Sequence, residues 1–119
     1  FSQLVCLLGD FQSVPPTPAA QSSLVATLAW LTERYGLGSH DGASTTFVSR
    51  GSDKFRAGTT ITTPIVSPHR DVTFTLCPGD AAIELLPQWR RGVYDIVSEG
   101  WRRDGLQRAD RRALRPPTG

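Results

Sequence analysis

The sequence predicts an α/β domain from three observations. Residues 4–8 form a continuous apolar run long enough for a central strand. Residues 18–37 repeat apolar side chains at helical spacing, while residues 45–48 and 59–63 are short β-prone pieces. A second helix is predicted to begin at Pro78. Strands that alternate with helices are typical of the α/β class.

The first helix carries its own start and stop signals. Thr17 is suited to cap it, because its hydroxyl can accept from a free backbone N–H, and Pro18 suits the first helical position. Gly36 or Gly38 is predicted to end it. Four apolar residues spaced four, three and four apart predict one buried stripe: Leu24, Leu28, Leu31 and Tyr35.

The middle of the chain, residues 39–63, is rich in Gly, Ser and Thr and predicts an inserted hairpin or long loop. The second helix is expected over residues 78–86. Pro87 is expected to interrupt it, because proline lacks an N–H and clashes with the preceding turn. A further turn or helix after Pro87 is predicted to direct four residues toward the core: Trp89, Val93, Ile96 and Val97.

A histidine and a cysteine stand eight positions apart where the β-prone stretch gives way to the second helix. His69 follows residues 61–66, and Cys77 directly precedes Pro78. A thiol at a helix N-terminus is near unpaired N–H groups, which favour the thiolate. Imidazole and thiolate are both ordinary zinc ligands. A lone pair of ligands is also compatible with a surface histidine and a small buried cysteine, since zinc motifs are convincing when three or four ligands occur together.

The residues around this pair carry a resemblance. The string His69-Arg70-Asp71-Val72, followed by Thr75 and then by Cys77-Pro78-Gly79-Asp80, resembles the signature of the peptidoglycan recognition protein and type 2 N-acetylmuramoyl-L-alanine amidase family. Residues 4–11 resemble that family's central strand and the turn after it, and residues 18–37 resemble the helix that follows. The resemblance covers about residues 3–90 and is closest to bacterial members.

The resemblance implies an amidase-type fold, a mixed β-sheet flanked by helices, of which this chain is expected to be a C-terminal portion. It implies a zinc ion held by two histidines and one cysteine, with His69 and Cys77 as metal ligands in this chain. Thr75 matches a catalytic position that assists the carbonyl oxygen of the scissile amide. The implied reaction is hydrolysis of the lactyl–L-alanine amide of peptidoglycan. The family's first histidine has no counterpart here, so the isolated chain is expected to be inactive.

Other residues of the pattern have less specific roles. Pro68 stands where the family has glycine, and Asp71 is interpreted as a structural acceptor that fixes the loop. His40 lies in a polar turn-like stretch and is not expected to replace the missing ligand. Cys6, within an apolar run, is predicted to be a small buried hydrophobe. A disulfide between Cys6 and Cys77 stays open, because the sequence does not test its geometry.

Charge divides the chain into a domain over residues 1–97 and an Arg-rich tail or linker over residues 98–119. The net charge is +2, and the tail holds six arginines against three acidic residues. The nearly neutral domain lacks the clustered basic face of a nucleic-acid binder. The tail is expected to be solvated, or to touch an anionic wall or lipid surface weakly. The sequence contains no apolar span of transmembrane length.

The sequence supports two hypotheses about function. The first is a zinc-dependent amidase, with peptidoglycan as its partner and an extracellular, cell-wall or periplasmic location implied by that substrate. The second is a non-catalytic module of the same family that binds peptidoglycan without hydrolysing it. Loss of the cysteine commonly marks that group, so the presence of Cys77 favours the enzyme.

Overall fold

The computed structural model describes residues 2–37 and 42–113, with side chains described as far as residue 100. The described chain is α/β, with two helices and one antiparallel sheet of two strands. The α/β class is therefore confirmed, whereas the predicted mixed sheet is wrong for the described residues. The elements in chain order are α1 (Pro18–Arg34), β1 (Ser44–Val48), β2 (Thr60–Pro64), a single 3₁₀ turn (His69–Asp71) and α2 (Asp80–Ala113).

Helix α1 begins and ends where its local signals place it. The Thr17 side chain accepts a hydrogen bond from the backbone N–H of Ala20 at 3.2 Å, and Pro18 occupies the first turn. At the other end, Gly36 adopts φ +61°, the left-handed conformation that glycine reaches without steric cost. The predicted helix and its cap are confirmed, with the end at Arg34.

The core lies between α1 and α2. The indole N–H of Trp89 donates to Gln21 Oε1 at 3.1 Å, so this buried ring has its polar atom satisfied. Gly92 allows a close approach of the helices, because a Cβ there would lie 3.0 Å from a methyl group of Val25. The buried apolar residues of the two helices are Leu24, Ala29, Ala82, Trp89, Val93 and Val97.

Two side chains predicted to face the core lie outside it. Tyr35 is 45% exposed and Ile96 is 48% exposed. The α1 interface is centred instead on Leu24, Ala29 and Thr32. These residues are five and three positions apart, so the buried stripe lies on a different side of the helix from Tyr35. The predictions for Trp89, Val93 and Val97 are confirmed.

Helix α2 corrects two predictions about proline. It begins at Asp80 rather than at Pro78, and it continues through Pro87 without interruption. Residues on both sides of Pro87, Ala82 and Trp89, pack into the same buried cluster against α1. Their burial offsets the missing backbone hydrogen bond that a proline inside a helix imposes. The helix also runs across position 97, where the charge pattern places the start of the tail.

The inserted segment is a β-hairpin, which was one of the two predicted alternatives, the other being a long loop. Strands β1 and β2 pair antiparallel, with Phe47 opposite Ile61. Ile61 and Thr63 are buried, whereas every residue of β1 is exposed. The hydroxyls of Thr46 and Thr62 are hydrogen-bonded across the pair at 2.8 Å.

The apolar run near the N-terminus is not a strand. Residues 2–7 have no regular secondary structure and pair with no strand of the described chain. Val5 and Leu7 pack on the cluster formed by α1 and α2, while Leu4 is 84% and Leu8 97% exposed. Cys6 is also exposed, so the prediction of a small buried hydrophobe is wrong. Alternate residues cover the helices without any strand pairing.

Neither helix of the described chain combines the length and the apolar composition needed to cross a bilayer.

Candidate functional site

The segment from His69 to Asp80, here called the motif loop, connects the hairpin to α2. It opens with the 3₁₀ turn His69–Asp71 and passes through residues 72–79 without regular structure. Its upstream end is fixed by Arg90 of α2, whose Nε donates to the carbonyl of Val66 at 2.8 Å. The loop therefore starts and ends against the same helix.

Arg70 closes the motif loop on itself. Its Nη2 donates to the carbonyl of Leu76 at 2.6 Å and its Nε to that of Cys77 at 3.4 Å, while Nη1 forms an ion pair with Asp80 at 3.0 Å. The planar fork of a guanidinium suits this set of acceptors, and a lysine could not reproduce it. Because the ion pair is partly exposed, it adds little to the stability of the fold and serves mainly to fix the shape of the loop. The residue next to His69 thereby holds the backbone of Cys77.

Asp80 also joins the motif loop to the N-terminal segment. Gln12 Nε2 donates to its second carboxylate oxygen at 2.6 Å, and the Asp80 N–H donates back to Gln12 Oε1 at 3.2 Å. The N–H of Ala81 donates to the carbonyl of Phe11 at 3.1 Å. The first N–H groups of α2 are therefore already satisfied. The prediction that Cys77 stands at a free helix N-terminus is wrong, because the helix begins at Asp80 and its first N–H groups are capped by this segment.

Thr75 lies inside the loop, two residues before Cys77. Its Oγ1 accepts the backbone N–H of Cys77 at 3.1 Å. A hydroxyl that accepts one hydrogen bond still has its own proton to donate. The Thr75 O–H has no acceptor within the described part of the chain, so it is available to an oxygen atom of a ligand.

The acceptor that fixes the loop is Asp53 of the hairpin, not Asp71. Asp53 Oδ1 accepts from the Thr73 hydroxyl and, at 3.1 Å, from the Phe74 N–H. No described residue donates to the Asp71 carboxylate, so its predicted structural role is wrong. The neighbouring Ser52 hydroxyl donates to the carbonyl of Val72 at 2.9 Å. Sequence reasoning missed these ties because they join residues about twenty positions apart.

The ties to Asp53 predict a pH dependence. The hydrogen bonds from the Thr73 hydroxyl and then the Phe74 N–H lower the pKa of this carboxyl from its ordinary value of 3.8. A lowered folded-state pKa contributes stability that is present above pH 3.8 and is lost as the pH falls through the folded-state pKa. We expect Asp53→Asn to flatten the stability profile between about pH 5 and pH 2, measured by urea unfolding.

Asp95→Asn is the matched control, because Asp95 is an exposed acid on α2. Its stability profile should keep the acid-limb slope of the parent chain. An unchanged slope in Asp53→Asn would show that the loop ties do not depend on the charge of this carboxylate.

His69 and Cys77 are both exposed, and the Cys77 thiol is free. Imidazole and thiol are the right kinds of zinc ligand, but among the side chains described, those of residues 2–37 and 42–100, no group of three His, Cys, Asp or Glu is placed to hold a metal. A catalytic zinc site takes three protein ligands. The described residues therefore supply ligand types that suit zinc, but fewer ligands than a catalytic zinc site needs. His40 lies outside the described residues.

A small open cleft with a cavity volume of about 30 Å³ lies elsewhere, between α1, α2 and the base of the hairpin. Arg90, Tyr94 and Val97 line it together with Thr32 and Ile65. None of His69, Thr75 and Cys77 contributes to its walls, so it is separate from the motif loop.

Comparison of the chain with protein-family models, with curated proteins and with solved structures finds no match.

Proposed function

We propose that this chain is the C-terminal part of an N-acetylmuramoyl-L-alanine amidase domain of the zinc-dependent type, acting on bacterial peptidoglycan outside the cytoplasm. The observation that supports the proposal is the closure of the motif loop by Arg70. The residues that carry the resemblance bond to one another rather than lying separately on the surface. Such mutual bonding is expected where a short segment has to hold chemical groups in a fixed arrangement.

Four residues of the motif loop have distinct tasks. His69 and Cys77 are two metal ligands, and a third ligand comes from outside the described residues. Arg70 donates its side-chain hydrogen bonds to other residues of the loop, so it is a positioning residue for Cys77. Thr75 presents its O–H to the carbonyl oxygen of the scissile amide, since its acceptor side is held by the Cys77 N–H. When bound, zinc supplies a Lewis acid and a water of lowered pKa.

The second candidate is a peptidoglycan-binding module without hydrolysis. The shortage of ligands among the described residues favours it. So does the exposure of two apolar side chains on either side of Thr75, because Phe74 is 69% and Leu76 75% exposed. Exposed apolar side chains beside polar groups suit binding of a peptide or sugar face. The presence of Cys77 favours the amidase.

Zinc stoichiometry and peptidoglycan binding test the proposal in this chain directly. We expect weak zinc binding that Cys77→Ser and His69→Ala each abolish, because a site of two ligands cannot lose either one. Cys6→Ser is the matched control, since Cys6 is also free and exposed but lies outside the motif loop. Metal content after dialysis and sedimentation with purified peptidoglycan are the measurements. Release of stem peptide by the chain alone should stay at background.

The two candidates give different outcomes. Zinc that depends on His69 and Cys77 but not on Cys6 supports the amidase. Peptidoglycan binding that is unchanged by Cys77→Ser and by a chelator supports the recognition module. Equal zinc retention by Cys77→Ser and Cys6→Ser would remove the motif loop as a metal site.

A further inference from the structure

Lys54 is the single lysine of a chain that otherwise uses twelve arginines as its cations. It lies in the hairpin loop between β1 and β2, and its side chain reaches the motif loop. The ammonium donates to the carbonyl of Arg70 at 2.9 Å. It also lies 5.6 Å from the ring centroid of Phe55 and 5.9 Å from that of Phe74. Two aromatic faces and a carbonyl therefore hold this cation in one place.

The charge of Lys54 is not balanced by an acid. Within the described ranges, no carboxylate lies within ion-pair distance of its ammonium, whereas Arg70 is paired with Asp80. The adjacent Asp53 uses its carboxylate to accept from Thr73 and Phe74. An ammonium has three N–H donors, and among the described residues only one of them meets an acceptor. Two donors on a partly desolvated cation are left for an anionic ligand.

The surroundings of Lys54 indicate which anion. Phe74, one of its two aromatic neighbours, is 69% exposed and directly precedes Thr75. The backbone of Phe74 is fixed by Asp53, so the ring is displayed from an anchored position. A fixed cation beside an exposed apolar ring suits a carboxylate that is attached to an apolar body. A free phosphate or a sulfate would leave the phenyl face unused.

We propose that Lys54 and Phe74 form a binding subsite for a peptide carboxylate next to Thr75. The inference rests on the proposed function for the identity of the ligand, because the stem peptide of peptidoglycan carries free carboxyl groups beside small apolar side chains. The hairpin loop is then part of the ligand-binding surface. Ser52 and Asp53 hold it against the motif loop, and Lys54 contacts the ligand.

The single lysine allows a direct test by NMR. In the full chain labelled with ¹³C at lysine, the Lys54 side chain gives one set of signals. The probes are N-acetylmuramoyl-L-alanyl-D-isoglutamine, the same compound with its carboxyl amidated, and the sugar-free L-alanyl-D-isoglutamine. We expect the two free acids to shift the Lys54 signals and the amide to leave them in place. Lys54→Gln should weaken binding of the free acids about tenfold, the loss expected for a charged hydrogen bond.

Arg56→Gln is the matched control, because it removes the same charge from an exposed residue of the same hairpin loop. Its affinity for the free acids should equal that of the parent chain. Phe74→Leu keeps an apolar side chain but removes the ring, and it should weaken binding less than Lys54→Gln does.

Three results would overturn the subsite: equal binding of acid and amide, an equal loss in Arg56→Gln and Lys54→Gln, or unmoved Lys54 signals with every probe. The test also separates this inference from the proposed function. Binding of the muramyl compound that is unaffected by Lys54→Gln removes the subsite and leaves the function standing. Lys54-dependent binding of the sugar-free dipeptide alone supports the subsite and counts against a peptidoglycan ligand.

Discussion

Replacing Trp89 with alanine is expected to lower the free energy of unfolding by about 3–5 kcal/mol. The ring is only 5% exposed and lies in the cluster that joins α2 to Leu24 of α1. The substitution leaves a cavity and also removes the donor that pairs with Gln21 Oε1. Since a domain is commonly stable by about 5–15 kcal/mol, the variant should be near the limit of folding. Urea unfolding followed by far-ultraviolet circular dichroism measures the loss.

Trp30→Ala provides the comparison for this prediction. Trp30 is the same residue type on α1, but it is 61% exposed. The free energy of unfolding of Trp30→Ala should be within about 0.5 kcal/mol of that of the parent chain, as for most surface substitutions. Equal losses for the two tryptophans would mean that the contact between α1 and α2 does not provide the main stabilisation of this fold.

Replacing Gly79 with alanine should be the second most damaging single change. Gly79 adopts φ +98°, and a Cβ there would overlap the carbonyl group of Phe11 and lie 2.7 Å from the N–H nitrogen of Gln12. The backbone conformation alone costs about 1–3 kcal/mol for a residue with a side chain. Displacing the N-terminal segment should add about 1–3 kcal/mol, typical of overpacking.

Gly58→Ala separates these two contributions. Gly58 has a similar φ of +89°, but nothing lies within 4 Å of the position that its Cβ would occupy. It therefore reports the cost of the backbone conformation without the overlap. Urea unfolding should show a larger loss for Gly79→Ala, and amide exchange at Ala81 should accelerate in that variant only. The same loss in both variants would show that Phe11 and Gln12 move away at little cost.

The parts of this fold that were predictable from sequence depend on local signals. Thr17 and Pro18 specify the start of α1 within one turn, and residues 45–48 and 59–63 indicate the hairpin through short-range β preference. Local rules failed at Pro87, where burial of flanking side chains outweighs the missing hydrogen bond. They also failed at residues 4–8, since an apolar run does not distinguish strand pairing from one-sided packing on helices.

The motif loop was predictable in its residues but not in its geometry. The sequence identifies His69, Thr75 and Cys77 as candidates for chemistry through the resemblance. It does not show that Arg70 closes the loop, because a guanidinium can equally face solvent. Nor does it show the contribution of Asp53, which in the sequence is an ordinary turn residue. Only folding brings its carboxylate next to Thr73 and Phe74, which are 20 and 21 positions later in the chain.

The long-range contacts of the helices also constrain the kinetics of folding. Gln12 with Asp80 and Gln21 with Trp89 are both pairs separated by 68 positions, whereas the hydroxyl pair of the hairpin spans 16. Closing a short loop costs less entropy than closing a long one, so the hairpin can form before the helices meet. Once Gln21 reaches Trp89, most of the long closure is complete, and Gln12 needs only a short further movement to reach Asp80. The helix pair and the motif loop should therefore appear together, late, in a single cooperative step.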